Sequence, residues 1–373
     1  ESLQASSEIG YPVICRPSFV LGGRRMEVIE SDEELASYFE RHGEFFSSQR
    51  PCLMDQFLAG ALEVDVDLVR GKDWIVVGGI VEHIEAAGVH SGDSQGVVPP
   101  QRLKTETCQG IEEMSCQLAH AMNVIGHLNL QLAIKSDEVF ILEANPRSSR
   151  SVPFLVKATG IPLVDLGVMA CAGMQASEVH PQKYQWKNLK FVSVKGVVFP
   201  FKKFSDADSL LGPEMRSTGE SMGRGRDYAE ALMKAMLSTN MKLPSHGEVF
   251  LSLRDKDKAF VLDLAKQLVT LGYTFSGTSG TAKYFNDHGV PCVPLKKVFE
   301  GRPHCVDHIR AGNVAFVINT TSGRASIEDS FSIRRACIDY NIPCLTESDA
   351  AEAFALALKK TRQKEFHVSA LNS

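Results

Sequence analysis

The chain has 373 residues, of which 44% are hydrophobic and 23% charged, with a formal net charge of −5. It is long enough for two or three globular domains, and its mild negative charge argues against nucleic acid or an anionic membrane as the main partner. No apolar run approaches the roughly 20 residues that span a bilayer, and nine scattered cysteines without CxxC spacing indicate neither a disulfide framework nor a zinc site, so a reducing cytoplasm is expected.

The chain opens on Glu1-Ser2-Leu3-Gln4, without Met or a signal peptide, and reads as a segment of something longer. Val13 to Arg16 is a short strand stopped by Pro17, and Gly22-Gly23 makes a flexible turn before a strand from Met26 to Ile29. Ser31-Asp32-Glu33-Glu34 has capping-box spacing and opens a helix to about Arg41. Leu62 to Leu68 alternates apolar and acidic residues as a half-buried strand does, and Gly71-Lys72-Asp73 turns it into a second strand, Trp74 to Ile80. A helix is expected over Thr105 to Met122, then strands Leu128 to Lys135 and Val139 to Ala144 joined at Ser136-Asp137. Residues 160–240 read as mostly helical, with an extended piece at Phe191 to Phe201. From Gly247 strands and helices alternate, the signature of a parallel sheet covered by helices. The expected organisation is an α+β domain over 1–160, a helical connector over 161–242, and a Rossmann-like α/β domain over 243–373.

Asn129 and Gln131 sit two apart on one strand, Glu143 and Asn145 two apart on the next, so each pair shares a face. All four carry oxygen donors, the hard ligands that Mg²⁺ takes together with substrate phosphates. The pattern alone leaves a water-exposed polar sheet face equally open. Arg147 and Arg150 then place two guanidinium groups, suited to phosphate oxygens, beside that face. Arg16 ends a strand before the Gly22-Gly23 loop, whose backbone N–H groups could approach phosphate. No G-K-[ST] follows, so this is no Walker A loop. The run Glu82 to Asp93 holds two His and three carboxylates, but His83 and His90 lack i,i+4 spacing, and anion binding by a polar loop is the favoured reading over a metal site.

Arg16-Pro17-Ser18-Phe19-Val20-Leu21-Gly22-Gly23, the run Glu82 to Asp93, Glu143 to Phe154 and Leu210 to Glu220 occur in this order. Together they resemble the ATP-grasp family of carbamoyl phosphate synthetase large subunits, in particular the second synthetase half, and the resemblance covers essentially the whole chain. It implies an ATP-grasp ligase, glutamine-hydrolysing as a complete enzyme, that phosphorylates carbamate for pyrimidine and arginine biosynthesis. It implies ATP, Mg²⁺ or Mn²⁺, and K⁺ as cofactors, with a small glutaminase subunit bound mainly through a missing first half, and self-association of the full enzyme. By position, Arg16 matches an ATP-phosphate ligand, Glu63 the ribose ligand, and Leu58, Gly88, Val89, His90 and Ser91 the nucleotide lining. Gln56 stands where the best-studied bacterial member carries His. Gln131, Glu143 and Asn145 match the divalent-metal ligands, and Arg147 and Arg150 residues near the carbamate and the transferred phosphate.

Gly277 to Ala282 and Asn319 to Arg324 each follow a strand. Either loop alone is ordinary turn chemistry; the two together resemble the methylglyoxal-synthase-like regulatory domain of the same family. There Lys258, Thr278, Thr281, Lys297, Asn319 and Thr321 match residues that hold a pyrimidine nucleotide inhibitor, and Glu85, Asp93 and Thr346 match contacts of the activator ornithine. A further ornithine acid belongs at Gly196, so weak or absent ornithine activation is expected. A methylglyoxal-synthase-type lyase lacks its Ser-Gly-Pro-x-Gly-Gly-Asp segment here, a non-enzymatic module is opposed by the intact Gln131, Glu143 and Asn145, and the Asn145-Pro146-Arg147 context separates the chain from ligases such as biotin carboxylase.

Overall fold

The computed structural model describes residues 2–18, 23–363 and 368; Gly22 of the expected turn, with its neighbours 19–21, lies outside the described residues. Two compact units form, each discontinuous in sequence: 1–57, 198–219 and 239–365 make one, and 58–197 with 220–238 the core of the other.

In the first unit α1 (Ser2–Ile9), β1 (Val13–Pro17), β2 (Glu27–Ile29), α2 (Asp32–His42) and β3 (Cys52–Gln56) follow one another, and the strands form an antiparallel sheet in the order β2-β1-β3. Helix α2 starts where its chemistry says it should. Ser31 Oγ accepts from Glu34 N at 3.3 Å, three acids occupy the first turn, and Arg41 and His42 the last. Its buried Leu35 and Tyr38 pack on Val13, Cys15 and Ile29. Gly23 has φ +70 and a Cβ there would lie 1.7 Å from Pro213 O, so only glycine fits.

The second unit is built on β4 (Leu62–Arg70), β5 (Ile75–His83), β6 (Gly96–Val98), α3 (Thr105–Ala121), β7 (Gly126–Lys135), β8 (Glu138–Asn145), α4 (Val152–Thr159), α5 (Leu163–Cys171), α6 (Ala176–Val179), β9 (Val192–Val198), β10 (Gly219–Gly225) and α7 (Tyr228–Ser238). Its seven strands run in the order β10-β9-β6-β5-β4-β7-β8. Ser136 (φ 53) and Asp137 (φ 66) make the tight β7–β8 turn, whose left-handed residues match the strand twist. One sheet face buries Val64, Val66, Leu68, Ile80, Leu128, Leu130 and Leu132 under α4 and α5.

Two expectations need correction. Strand β4 was expected to be half-buried, yet every residue from Val64 to Arg70 is buried, because its acidic face is covered as well. Segment 161–242 was expected to be mostly helical and to link two domains. It carries α5, α6 and α7, and β9 where the extended piece was expected; but β9 pairs with β6 through Gly96↔Lys195, Val97↔Val194 and Val98↔Ser193, and β10, which was not expected, follows it at the edge of the same seven-stranded sheet. Strand β10 reads Gly-Glu-Ser-Met-Gly-Arg-Gly. Its glycines conceal it from propensity, and one has a packing reason: a Cβ on Gly223 would meet Ala231 O of α7 at 2.2 Å.

The rest of the first unit holds β11 (Gly247–Ser252), α8 (Lys258–Thr270), β12 (Tyr273–Thr278), α9 (Ser279–Asp287), β13 (Cys292–Leu295), α10 (Cys305–Arg310), β14 (Val314–Asn319), α11 (Gly323–Tyr340), β15 (Cys344–Leu345) and α12 (Ser348–Thr361). All strand pairs are parallel, as expected, in the order β13-β12-β11-β14-β15. Strand order reverses between β11 and β14, and ligands of such sheets bind beyond the strand C-termini at that reversal.

Candidate active site and effector site

On the second unit the antiparallel register sets polar side chains in rows across three strands. Asp65 on β4 lies opposite Gln131 on β7, which lies opposite Glu143 on β8; Asp67, Asn129 and Asn145 form the next row. Direct partners point to the same face. The alternation of β4 adds Glu63, and His83 at the end of β5 stands between the acids, with Nε2 3.2 Å from Asp65 Oδ2 and Nδ1 3.6 Å from Glu63 Oε2.

The floor of this face is charged and sealed. Asp65, Asp67, His83 and Lys195 are each at most 3% exposed, whereas Glu143, Arg147 and Arg150 are exposed. Burial opposes a charged His83, but the carboxylates of Asp65 and Glu63 outweigh it and raise its pKa to about 9. For Asp65 the His83 charge overcomes burial and holds the carboxyl below its ordinary range. Asp67, farther from the cation, is pushed up to about 7 by burial and by the Asp65 charge, against a 2.8 Å hydrogen bond from Ser149 Oγ.

The polar loop after β5 closes over this floor. Gly88 N donates to Glu63 Oε1 at 3.0 Å, Gln131 Nε2 to Ser91 Oγ at 3.0 Å, and Lys195 Nζ to Ser91 O at 3.0 Å. Glycine at 92 leaves room for Arg150, whose Nη2 would be 2.0 Å from a Cβ there. Within the run expected as an anion loop, Glu82 and His83 are instead strand residues. Buried Glu82 receives the backbone N–H groups of Gln101 (2.9 Å) and Arg102 (2.8 Å), and His83 receives acids. Burial lowers the pKa of His90. Burial raises that of Glu85, whose carboxylate accepts from Gln95 N at 2.7 Å and Gln95 Nε2 at 3.1 Å. Asp93 is buried, Val89 is 6% exposed, and Leu58 is half-buried just before β4.

Gln131, Glu143 and Asn145 fit a hard divalent cation. They are neighbours across β7 and β8, and Gln131, having spent its amide on Ser91, keeps its carbonyl oxygen as the remaining donor. Arg16 and Gln56 belong to the other unit, on β1 and β3; Arg16 Nε lies 3.4 Å from Asp55 Oδ2.

At the strand ends of the parallel sheet the groups are mostly neutral. Thr278 Oγ1 donates to Thr281 Oγ1 at 3.1 Å, Leu253 N donates to Thr281 Oγ1 at 3.2 Å, and Arg254 N to Thr320 Oγ1 at 3.1 Å. Lys258 Nζ is 3.9 Å from where a Cβ on Gly280 would stand, at the N-terminal turn of α9. Lys297 is exposed two residues beyond Leu295, the strand partner of Thr278. Asn319 and Thr321 end and follow β14, and Thr346 follows β15. The residues expected for the nucleotide effector stand at or just beyond the C-terminal ends of this sheet's strands, whereas Glu85 and Asp93, expected for ornithine, lie in the second unit.

The sequence model for the ATP-binding domain of the carbamoyl-phosphate synthase L chain matches residues 1–179, and that for the MGS-like domain residues 260–346. The C-terminal section of the carbamoyl phosphate synthase large chain of Methanocaldococcus jannaschii is 42% identical over 381 residues, 100% of this chain and 62% of that one. The corresponding section from Aquifex aeolicus is 42% identical over 378 residues, 97% of this chain and 70% of that one. The chain belongs to the carbamoyl phosphate synthase large-chain family. It spans only 34% of the carbamoyl phosphate synthase large chain of Xanthomonas campestris pv. campestris, at 44% identity over 96% of this chain. In fold it is similar to an ADP complex of N5-carboxyaminoimidazole ribonucleotide synthetase, with TM-score 0.50 and 17% identity over 64% of this chain and 63% of that one.

Within this carbamoyl phosphate synthase fold, sequence reasoning passed over Asp65, Asp67 and Lys195 and set His83 aside as a weak metal candidate. The signal was present: Glu63, Asp65 and Asp67 repeat at the period of a strand face. Arg334, buried in α11, was also missed, since an arginine in a helical stretch carries no mark of burial.

Proposed function

We propose that this chain is the C-terminal, carbamate-phosphorylating portion of a carbamoyl phosphate synthase, converting carbamate and ATP into carbamoyl phosphate and ADP. A carbamate oxygen attacks the γ-phosphorus, the bond to the β-phosphate oxygen breaks, and ADP leaves with that electron pair. No protein nucleophile is required. The observation that carries the reading is the row Asp65–Gln131–Glu143 on one sheet face with Arg150 at its margin.

Gln131, Glu143 and Asn145 would hold Mg²⁺ or Mn²⁺, which when bound neutralises charge on the nucleotide phosphates. Arg147 and Arg150 orient the transferred phosphoryl group and stabilise its developing charge. Glu63 takes the ribose hydroxyls, Leu58 and residues 88–91 line the nucleotide, Arg16 takes ATP phosphate, and Gln56 is a further nucleotide contact. The buried His83 and Lys195 keep the floor electrically balanced, so the exposed end of the face can carry the reacting charge. Carbamate would come from the remainder of a longer large chain, its ammonia from a small glutaminase subunit, and the product would feed pyrimidine and arginine biosynthesis in the cytoplasm. K⁺ as a further cation and self-association belong to the same reading. The α/β domain would bind a pyrimidine nucleotide inhibitor through Lys258, Thr278, Thr281, Lys297, Asn319 and Thr321.

The test runs the reaction backwards. The complete enzyme, given ADP, carbamoyl phosphate and Mg²⁺, makes ATP; absence of ATP formation overturns the assignment.

A further inference from the structure

Arg334, in the middle of α11, is 0% exposed. A buried guanidinium needs full compensation. It receives it from outside the sheet-and-helix body: Nε and Nη2 reach the two carboxylate oxygens of Asp208 at 2.6 Å each. Nη2 also donates to Ile327 O at 2.7 Å, and Nη1 to Asn319 Oδ1 at 3.1 Å. Arginine has only donors, so the Asn319 atom facing it must be the carbonyl oxygen. The amide nitrogen is thereby turned towards the end of β11, where it meets Ser252 O at 3.4 Å. Asn319 sits at the strand-order reversal, beside Thr320 and Thr321, and has one polarity to offer there: an N–H.

Asp208 lies in the 198–219 segment, which has little regular structure of its own. The next residue of α11 holds it too. Arg335 Nη1 donates to Phe204 O at 2.8 Å and Ala207 O at 3.3 Å. Asp208 Oδ1 also accepts from Leu210 N at 3.0 Å. A strap of chain thus ends in a carboxylate that fixes the arginine that fixes the amide.

We propose that Asp208 and Arg334 are positioning residues of the effector site, locking Asn319 as a hydrogen-bond donor and making nucleotide affinity depend on the 198–219 strap. This rests on the reading of the α/β domain as a pyrimidine-nucleotide site. The site then selects a ligand with an acceptor, a carbonyl or phosphate oxygen, next to Asn319.

The experiment is calorimetric titration of UMP into the intact protein and its variants, with thermal unfolding recorded alongside. Asp208→Ala should weaken UMP binding about tenfold, the worth of one mispositioned bond to a charged ligand, with ATP synthesis in the absence of UMP unchanged. Asp208→Glu, which keeps the carboxylate, should recover most of the affinity, and the milder Asp208→Asn should fall between. Asn319→Asp gives Arg334 a second carboxylate, so it should unfold no earlier than the parent and yet bind UMP more weakly. Parent-like UMP affinity in Asp208→Ala and Asn319→Asp would overturn this inference and leave the effector reading standing. No UMP binding by the parent protein would overturn both.

Discussion

On the antiparallel sheet the functional groups stand in rows across β4, β7 and β8, on a floor of buried ions; on the parallel sheet they cluster where β11, β12 and β14 stop, and they are mostly hydroxyls and amides. The first arrangement suits chemistry in which charge moves, because fixed opposite charges in a sealed site need not reorganise as it does. The second suits reversible recognition, in which hydroxyl and amide groups meet a ligand through hydrogen bonds whose placement decides affinity. The difference predicts that one face is sensitive to charge and pH and the other to the placement of hydrogen bonds.

The hardest blow to the charged face is Glu143→Gln. In the complete enzyme, ATP synthesis from ADP and carbamoyl phosphate should fall at least about a hundredfold with unfolding unchanged. Near-parental turnover would remove Glu143 from the site.

His83→Asn leaves Asp65 and Glu63 without their cation and should cost about 3 kcal/mol of stability in denaturant titration. The same residue sets the pH dependence. Its folded pKa of about 9 lies above the ordinary ~6.5. Its stabilisation is therefore complete below pH ~6.5 and lost as pH rises through 9. Asp67, at about 7 in the fold against an ordinary ~3.9, adds a decline between those two values. The denaturation midpoint of the parent should fall between pH 7 and 9, and His83→Asn should flatten that fall. An equal slope in both proteins would contradict the geometry.

Gly196 is buried in β9, beside Lys195 and on the strand that carries it. Ornithine activation should be weak, and Gly196→Glu should lower the half-activating concentration about tenfold. Strong activation already in the parent, unchanged by the substitution, would show that another acid serves. The smallest effect belongs to the neutral edge: Lys297 is exposed, so Lys297→Ala should weaken UMP only about fivefold, with added salt weakening the parent further. A variant that binds UMP like the parent in calorimetry would place Lys297 outside the effector contacts.

Much of this was legible in the chain. Helix α2 announced itself by Ser31 and its acids, the β7–β8 hairpin by its Ser136-Asp137 joint, and the shared faces of Asn129 with Gln131 and of Glu143 with Asn145 by strand spacing. What stayed hidden depends on distant partners. Strand β10 exists because β9 is beside it, not because three glycines favour extension. The burial of β4 on both faces follows from His83 and Ser149 arriving from other strands and loops to meet its acids. Arg334 looks like any helical arginine until Asp208, from before β10, is set against it.

Among the described residues the chain crosses between its two units four times, at 57/58, 197/198, 219/220 and 238/239. Neither unit can therefore be excised with one pair of cuts. A piece beginning at 243 would carry the whole parallel sheet but leave Arg334 without its carboxylate, an omission worth about 3–5 kcal/mol. As a portable part, the effector module starts well before the first strand of its sheet, and whoever grafts it elsewhere must bring along a stretch of backbone that belongs to no sheet at all.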